Sequence, residues 1–159
     1  MGRETAMILN FKWTDGDDSS FIYFYGITES YYSSLVGGAE NRILFAEHNL
    51  SETVDTVLIC YDGEIPIACA GLRRYSETDV EVKRVWVQPT YRGNKIAKQM
   101  MLLLHDKAEE QGYKRVILQT REIMEDAVKL YEYLGYSRID NYPPYDHLEG
   151  AICMARDVK

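Results

Sequence analysis

No run in this chain approaches the ~20 consecutive apolar residues that a membrane-spanning helix needs. No secretory pattern opens it either: residues 1–6 are polar, and 7–11 are too few for the apolar core of a signal. A cytoplasmic protein that engages no membrane is the expectation. Cysteine is scarce. Cys60, Cys69 and Cys153 are odd in number, and no pair has metal-ligand spacing, so reduced, buried thiols are expected. His48, His105 and His147 are dispersed, and neither H-E-x-x-H nor C-x-x-C occurs, which argues against a metal site. A surplus of positive charge is also missing. Eighteen Lys and Arg against 25 Asp and Glu give a net charge of −7, which speaks against nucleic acid as the main partner. That balance suits an amine substrate, although acidity also serves solubility. Repeats, linkers and low-complexity segments are absent.

What is present is enough for one full core. The chain has 159 residues, 46% of them hydrophobic, and reads as a single domain over 1–159. Its organising stretch is 80–112. Residues 80–87 are rich in β-branched and aromatic side chains and predict a strand that Pro89 stops. A basic turn, Tyr91 to Lys95, follows. Ile96, Met100, Leu104 and Ala108 then recur at helical spacing until Gly112 caps the helix. A helix starting after a glycine-bearing loop presents unpaired amides and the positive end of its dipole, a site suited to phosphate. Arg92, Lys95 and Lys98 add charge there. A Walker A loop is excluded, because no Gly-Lys-Ser/Thr follows Gly93 at the required spacing.

Around this unit, residues 7–13 predict a first strand, and Asp17 or Asp18 an N-cap. Residues 21–36 predict a helix with Ile22, Tyr25, Tyr32 and Val36 on one face, and 41–49 a shorter helix. Residues 56–61 and 65–72 predict a hairpin about Asp62-Gly63, continuing antiparallel into the strand at 80–87. Residues 114–120 predict a strand parallel to 80–87 through a right-handed crossover. A helix over 122–134 and closing strands over 136–142 and 151–157 complete the chain. The class is α/β with a mixed, mostly antiparallel sheet, a parallel β-α-β core and helices on both faces.

The segments VWVQPTYRGNKIA and LYEYLGY, in that order and spacing, resemble the GNAT superfamily of N-acetyltransferases. The first is similar to the family's acetyl-CoA-binding motif, Arg/Gln-x-x-Gly-x-Gly/Ala after a strand. Arg92 fills the first position and Ala97 the last; Lys95 stands where the family usually has its middle glycine, a place lysine can fill if its φ is negative, with its ammonium near the phosphates. The resemblance covers about 55–158. It implies a GNAT-like acyl-CoA N-acyltransferase fold, with acetyl-CoA as co-substrate and no metal. It implies that Arg92, Gly93, Asn94, Lys95, Ile96, Ala97 and Lys98 hold the diphosphate. It also implies that the backbone of Val85, Trp86 and Val87, splayed from its parallel neighbour, pairs with the pantetheine arm.

Amide formation from a thioester further needs an acid for the leaving thiolate and a base for the amine. Tyr131 in LYEYLGY matches the family's tyrosine near the sulfur. Glu81 is the best carboxylate base, since period-two alternation places it on one face with Lys83, Val85 and Val87. For the acceptor, Lys83, Arg84, Tyr25, Tyr142 and Tyr145 are candidates, the last two on a loop expected to reach over the site. Met124 departs from the asparagine that many relatives carry. The implied activity is acetyl transfer to a primary amine of a small molecule by direct attack. A protein or peptide acceptor and a non-catalytic CoA sensor of the same fold are alternatives, and a homodimer is left open.

Overall fold

The structure, a computed structural model, describes residues 6–35 and 54–158, except the side chains of 32–35. The helix expected over 41–49, His48, Val36 and the packing of Tyr32 lie outside the described residues.

Seven strands form one sheet among the described residues: β1 (Leu9–Thr14), β2 (Thr56–Asp62), β3 (Ile65–Arg74), β4 (Asp79–Val87), β5 (Arg115–Arg121), β6 (Ser137–Ile139) and β7 (Ala151–Asp157). Their spatial order is β1-β2-β3-β4-β5-β7-β6. Every pairing is antiparallel except β4 with β5, which α2 (Ile96–Glu110) joins as a crossover. The hairpin between β2 and β3 turns on Gly63-Glu64, one residue later than Asp62-Gly63, because Gly63 supplies the positive φ (61°) that the first central position of a tight hairpin requires.

Helices cover both faces. Helix α1 (Ser19–Leu35) buries Phe21 and Phe24 with Val57, Ile59, Cys69 and Trp86. Its buried stripe is therefore Phe21, Phe24 and Thr28, not the expected face, and Ile22 is 51% exposed. The two phenylalanines at i and i+3 set the helix rotation, because they carry the largest apolar area on it. Of the two candidate caps, Asp18 acts: its Oδ1 accepts the amides of Ser20 and Phe21 at 2.9 and 3.2 Å. On the opposite face, α2 and α3 (Glu125–Tyr133) cover a larger core built on Leu58, Val80, Val82, Met100, Leu104 and Leu118. Helix α3 starts three residues later than expected, since Glu122 donates its amide to Gly150 and the Met124 amide closes a turn onto Arg121. Strand β6 spans three residues rather than 136–142 because Asn141 turns inward, its side-chain amide bonding the carbonyl of Ala151 at 3.1 Å.

The three thiols are buried and reduced. Burial pushes Cys60 and Cys153 each up to about 11, and Cys69 higher still. No helix among the described residues is long and apolar enough to cross a membrane.

His105 sits in the α2 core, where Arg156 donates to its Nδ1 at 2.6 Å, so its Nε2 proton points at the Tyr136 hydroxyl 2.7 Å away. Burial, and then the Arg156 charge, hold its pKa down at about 4. The unfolded chain takes up this proton near the ordinary value of ~6.5 while the native state refuses it, so stability falls as pH drops from there to about 4. Thermal melts across that window are expected to show the loss, and His105→Gln, which keeps a donor and an acceptor without titrating, is expected to flatten it.

Candidate functional site

Strands β4 and β5 run in register from Asp79–Arg115 to Val82–Leu118, and there the ladder stops, although β4 continues to Val87 and β5 to Arg121. The parting coincides with a bulge. Cys69 faces Trp86 and Gly71 faces Lys83, so β4 carries one extra residue against β3. The extra residue is Arg84, at φ 57°, a left-handed conformation that costs a side-chain-bearing residue about 1–3 kcal/mol. A bulge bends its strand and sharpens its twist, which carries β4 away from β5. The result is a cleft of about 430 Å³. One wall is the 82–87 segment of β4; the other includes Gln119 and Arg121 of β5, Met124, and Leu130 and Tyr131 of α3.

The bulge also resets the side-chain alternation. Before it, Val80 and Val82 point into the α2 core and Glu81 and Lys83 to the α1 side; after it, Val85 and Val87 point into the α2 core and Trp86 to the α1 side. The expectation that Glu81 shares a face with Val85 and Val87 is thus corrected, because simple period-two counting fails across an inserted residue.

Glu81 is 1% exposed and fully engaged. Its Oε1 accepts from Arg73 at 2.8 Å and lies 3.7 Å from Lys83 Nζ; its Oε2 accepts the Tyr142 hydroxyl at 2.7 Å. Lys83 Nζ in turn donates to the Tyr145 hydroxyl at 2.6 Å. Tyr142 and Tyr145, expected on a loop over the site, are instead packed into this cluster, Tyr145 with no exposed surface. Burial first, and then the Glu81 charge, push both phenols well above the ordinary tyrosine range. Arg84 bonds Thr28 at 2.9 Å, pairs with Glu29 and stacks over the Tyr25 ring at 4.1 Å, so Tyr25 meets the site through this guanidinium.

Beyond Val87 the chain turns through a 3₁₀ segment, Pro89–Tyr91, into the loop that starts α2. Tyr91 anchors it by donating to Asp62 at 2.8 Å, and Asn94 closes it onto the Tyr91 carbonyl at 2.9 Å. Arg92 donates Nε to the Val87 carbonyl at 2.9 Å and stacks on Trp86 at 4.8 Å. Gly93 has φ 87°. Lys95 has φ 60°, so the condition of a negative φ is not met: it adopts the left-handed conformation that glycine takes more easily. No side chain caps the helix start. Ile96 is buried while Lys95 and Lys98 flank a second cavity of about 390 Å³, which shares Val87, Arg92, Ala97 and Leu130 with the cleft. Tyr131, 8% exposed, lines the cleft and is held edge-on against the Tyr136 ring at 5.8 Å.

The structure therefore brings Val85, Trp86, Val87, Arg92, Ala97 and Tyr131 to one cleft, with Gly93, Lys95, Ile96 and Lys98 at its second cavity. Glu81, Tyr142 and Tyr145 form a separate buried cluster that touches the cleft wall through Lys83. Sequence reasoning missed Arg73, the cation on Glu81, which a register of the hairpin carried through to β4 would have found. It also missed Gln119 and Arg121, which alternate along β5 on the face opposite the core residues Val116 and Leu118. Among the described residues no group of three His, Cys, Asp or Glu side chains is placed to hold a metal ion.

A family model described as "Acetyltransferase (GNAT) family" matches residues 12–136. An uncharacterized N-acetyltransferase of Escherichia coli, YjgM, is 35% identical over 83 residues, 50% of this chain and 49% of that protein. The alignment thus spans about half of that relative's length. An IAA acetyltransferase of Azospirillum brasilense is 32% identical over 67% of this chain and 71% of its own. In fold, the chain is similar to the PaiA N-acetyltransferase of Thermoplasma acidophilum solved in complex with coenzyme A, with a TM-score of 0.72 at 14% identity over 95% of this chain and 99% of that one.

Proposed function

Because the chain belongs to the acetyltransferase (GNAT) family, we propose that it transfers an acetyl group from acetyl-CoA to a primary amine of a small molecule by direct attack. The observation that carries this reading is the opening between β4 and β5 beside an uncapped helix start. Acetyl-CoA supplies the activated carbonyl carbon as a thioester. The amides of the loop from Gly93 and of the first turn of α2 bind the diphosphate, and Arg92, Lys95 and Lys98 add charge to that end. Val85, Trp86 and Val87 lend the pantetheine arm a strand edge whose hydrogen-bonding groups β5 no longer meets.

As the amine nitrogen bonds to the carbonyl carbon, the carbon–sulfur bond breaks, and Tyr131 gives its phenolic proton to the departing thiolate. The proton lost by the amine goes to Glu81 by way of water, because Glu81 lies behind the cleft wall and its cluster meets the cleft through Lys83; Tyr142 orients the carboxylate through the hydrogen bond already formed. Glu81 thus acts at one remove rather than touching the amine. Lys83, Arg84, Tyr25 and Tyr145 shape the acceptor side.

Coenzyme A at a hundred times its Kd is expected to stabilise the native state by about 2.7 kcal/mol, read as a rise in Tm. No rise at saturation removes the donor assignment. Thiol release over a panel of amines, amino acids and peptides identifies the acceptor; binding without release from any of them would leave a sensor, not an enzyme.

A further inference from the structure

Tyr133 ends α3 with 71% of its surface exposed, yet it lines the second cavity together with the loop that starts α2. A lone exposed tyrosine needs no explanation. This one is held. Lys98, from the first turn of α2, places its ammonium 5.0 Å from the ring centroid and 3.4 Å from the hydroxyl, fixing the ring across the mouth of the cavity. Leu130, one turn earlier on α3, and Val87 give that cavity an apolar floor, while Arg92, Lys95 and Lys98 make its rim cationic.

The two cavities share Val87, Arg92, Ala97 and Leu130, so one groove runs from Tyr131, past the loop, to Tyr133. On the donor assignment above, a thioester lies at the Tyr131 end and a diphosphate at the loop. Whatever follows the diphosphate must then leave the groove at Tyr133, and in coenzyme A that is the 3′-phosphorylated adenosine. We infer that Tyr133 is the platform on which the adenine stacks, with Lys98 holding the ring and adding charge beside the 3′-phosphate. Tyr133 thereby selects a nucleotide-bearing donor over a bare phosphopantetheine. A planar phenol suits this task because a base offers it a whole π-face, and the exposed side of the ring has room for one.

Isothermal titration of the full chain with coenzyme A and with 4′-phosphopantetheine tests this. Tyr133→Ala is expected to weaken coenzyme A by about tenfold, the scale of losing one base–aromatic stack. It should leave 4′-phosphopantetheine within about twofold, since that ligand ends at the loop. Tyr133→Phe, which keeps the ring, should match wild type. Unchanged coenzyme A affinity in Tyr133→Ala, or an equal loss for both ligands, overturns the platform. If wild type binds both ligands equally, the adenosine contributes nothing and the platform falls while the donor assignment stands; if wild type binds neither, both fall.

Discussion

Tyr131→Phe is expected to lower kcat by about a hundredfold while leaving the KM for acetyl-CoA within about twofold, the lower end of what a positioned general acid contributes. The split matters because the ring does two things. Its edge-on contact with Tyr136 and its place in the cleft wall are packing, which phenylalanine keeps. Only the hydroxyl is removed, so a loss confined to kcat isolates the proton. Steady-state kinetics against acetyl-CoA reads it, with the Tm measured in parallel. A wild-type kcat would return Tyr131 to the core.

Glu81→Ala is expected to cost about 3–5 kcal/mol of stability, because it strands charge rather than removing a contact. Lys83 is 6% exposed and Arg73 reaches inward to the same carboxylate; without it, both keep their charge in a poorly solvated place. Urea denaturation reads the cost as a lower midpoint at unchanged slope. Glu81→Gln retains the shape but cannot hold a transferred proton, so turnover should fall in it even below the point where stability limits the assay. If Glu81→Ala melts like wild type, the carboxylate does not hold Arg73 and Lys83 in place.

Much of this fold was legible because its signals are local. The Pro89 stop, the basic turn, the Ile96–Ala108 stripe and Gly112 each act within a few residues, and together they specify the β-α-β unit. The loop proposed to take the diphosphate lies in the same stretch. What escaped was non-local. Arg84 adopts a positive φ without being glycine, so nothing in the string announces the bulge, and every face assigned by counting across it is inverted. The cluster of Glu81 with Arg73, Tyr142 and Tyr145 draws on three separate segments, joined only by sheet register and by the return of the 140–150 loop over the sheet. Helix α1 misled for a different reason: six aromatic residues within 21–32 make several stripes plausible, and the sheet beneath chooses among them.

The extra residue at Arg84 carries an implication for how such domains diverge. Removing that single position would let β4 follow β5 to the end of that strand, extending backbone pairing from Val82–Leu118 to Trp86–Arg121 and closing the gap. A continuous, sturdier sheet would result, with no cleft between its two parallel strands. The cleft between β4 and β5 therefore hangs on a one-residue shift in one ladder, a change that insertion or deletion of one codon makes or unmakes while the hydrophobic interior stays as it was.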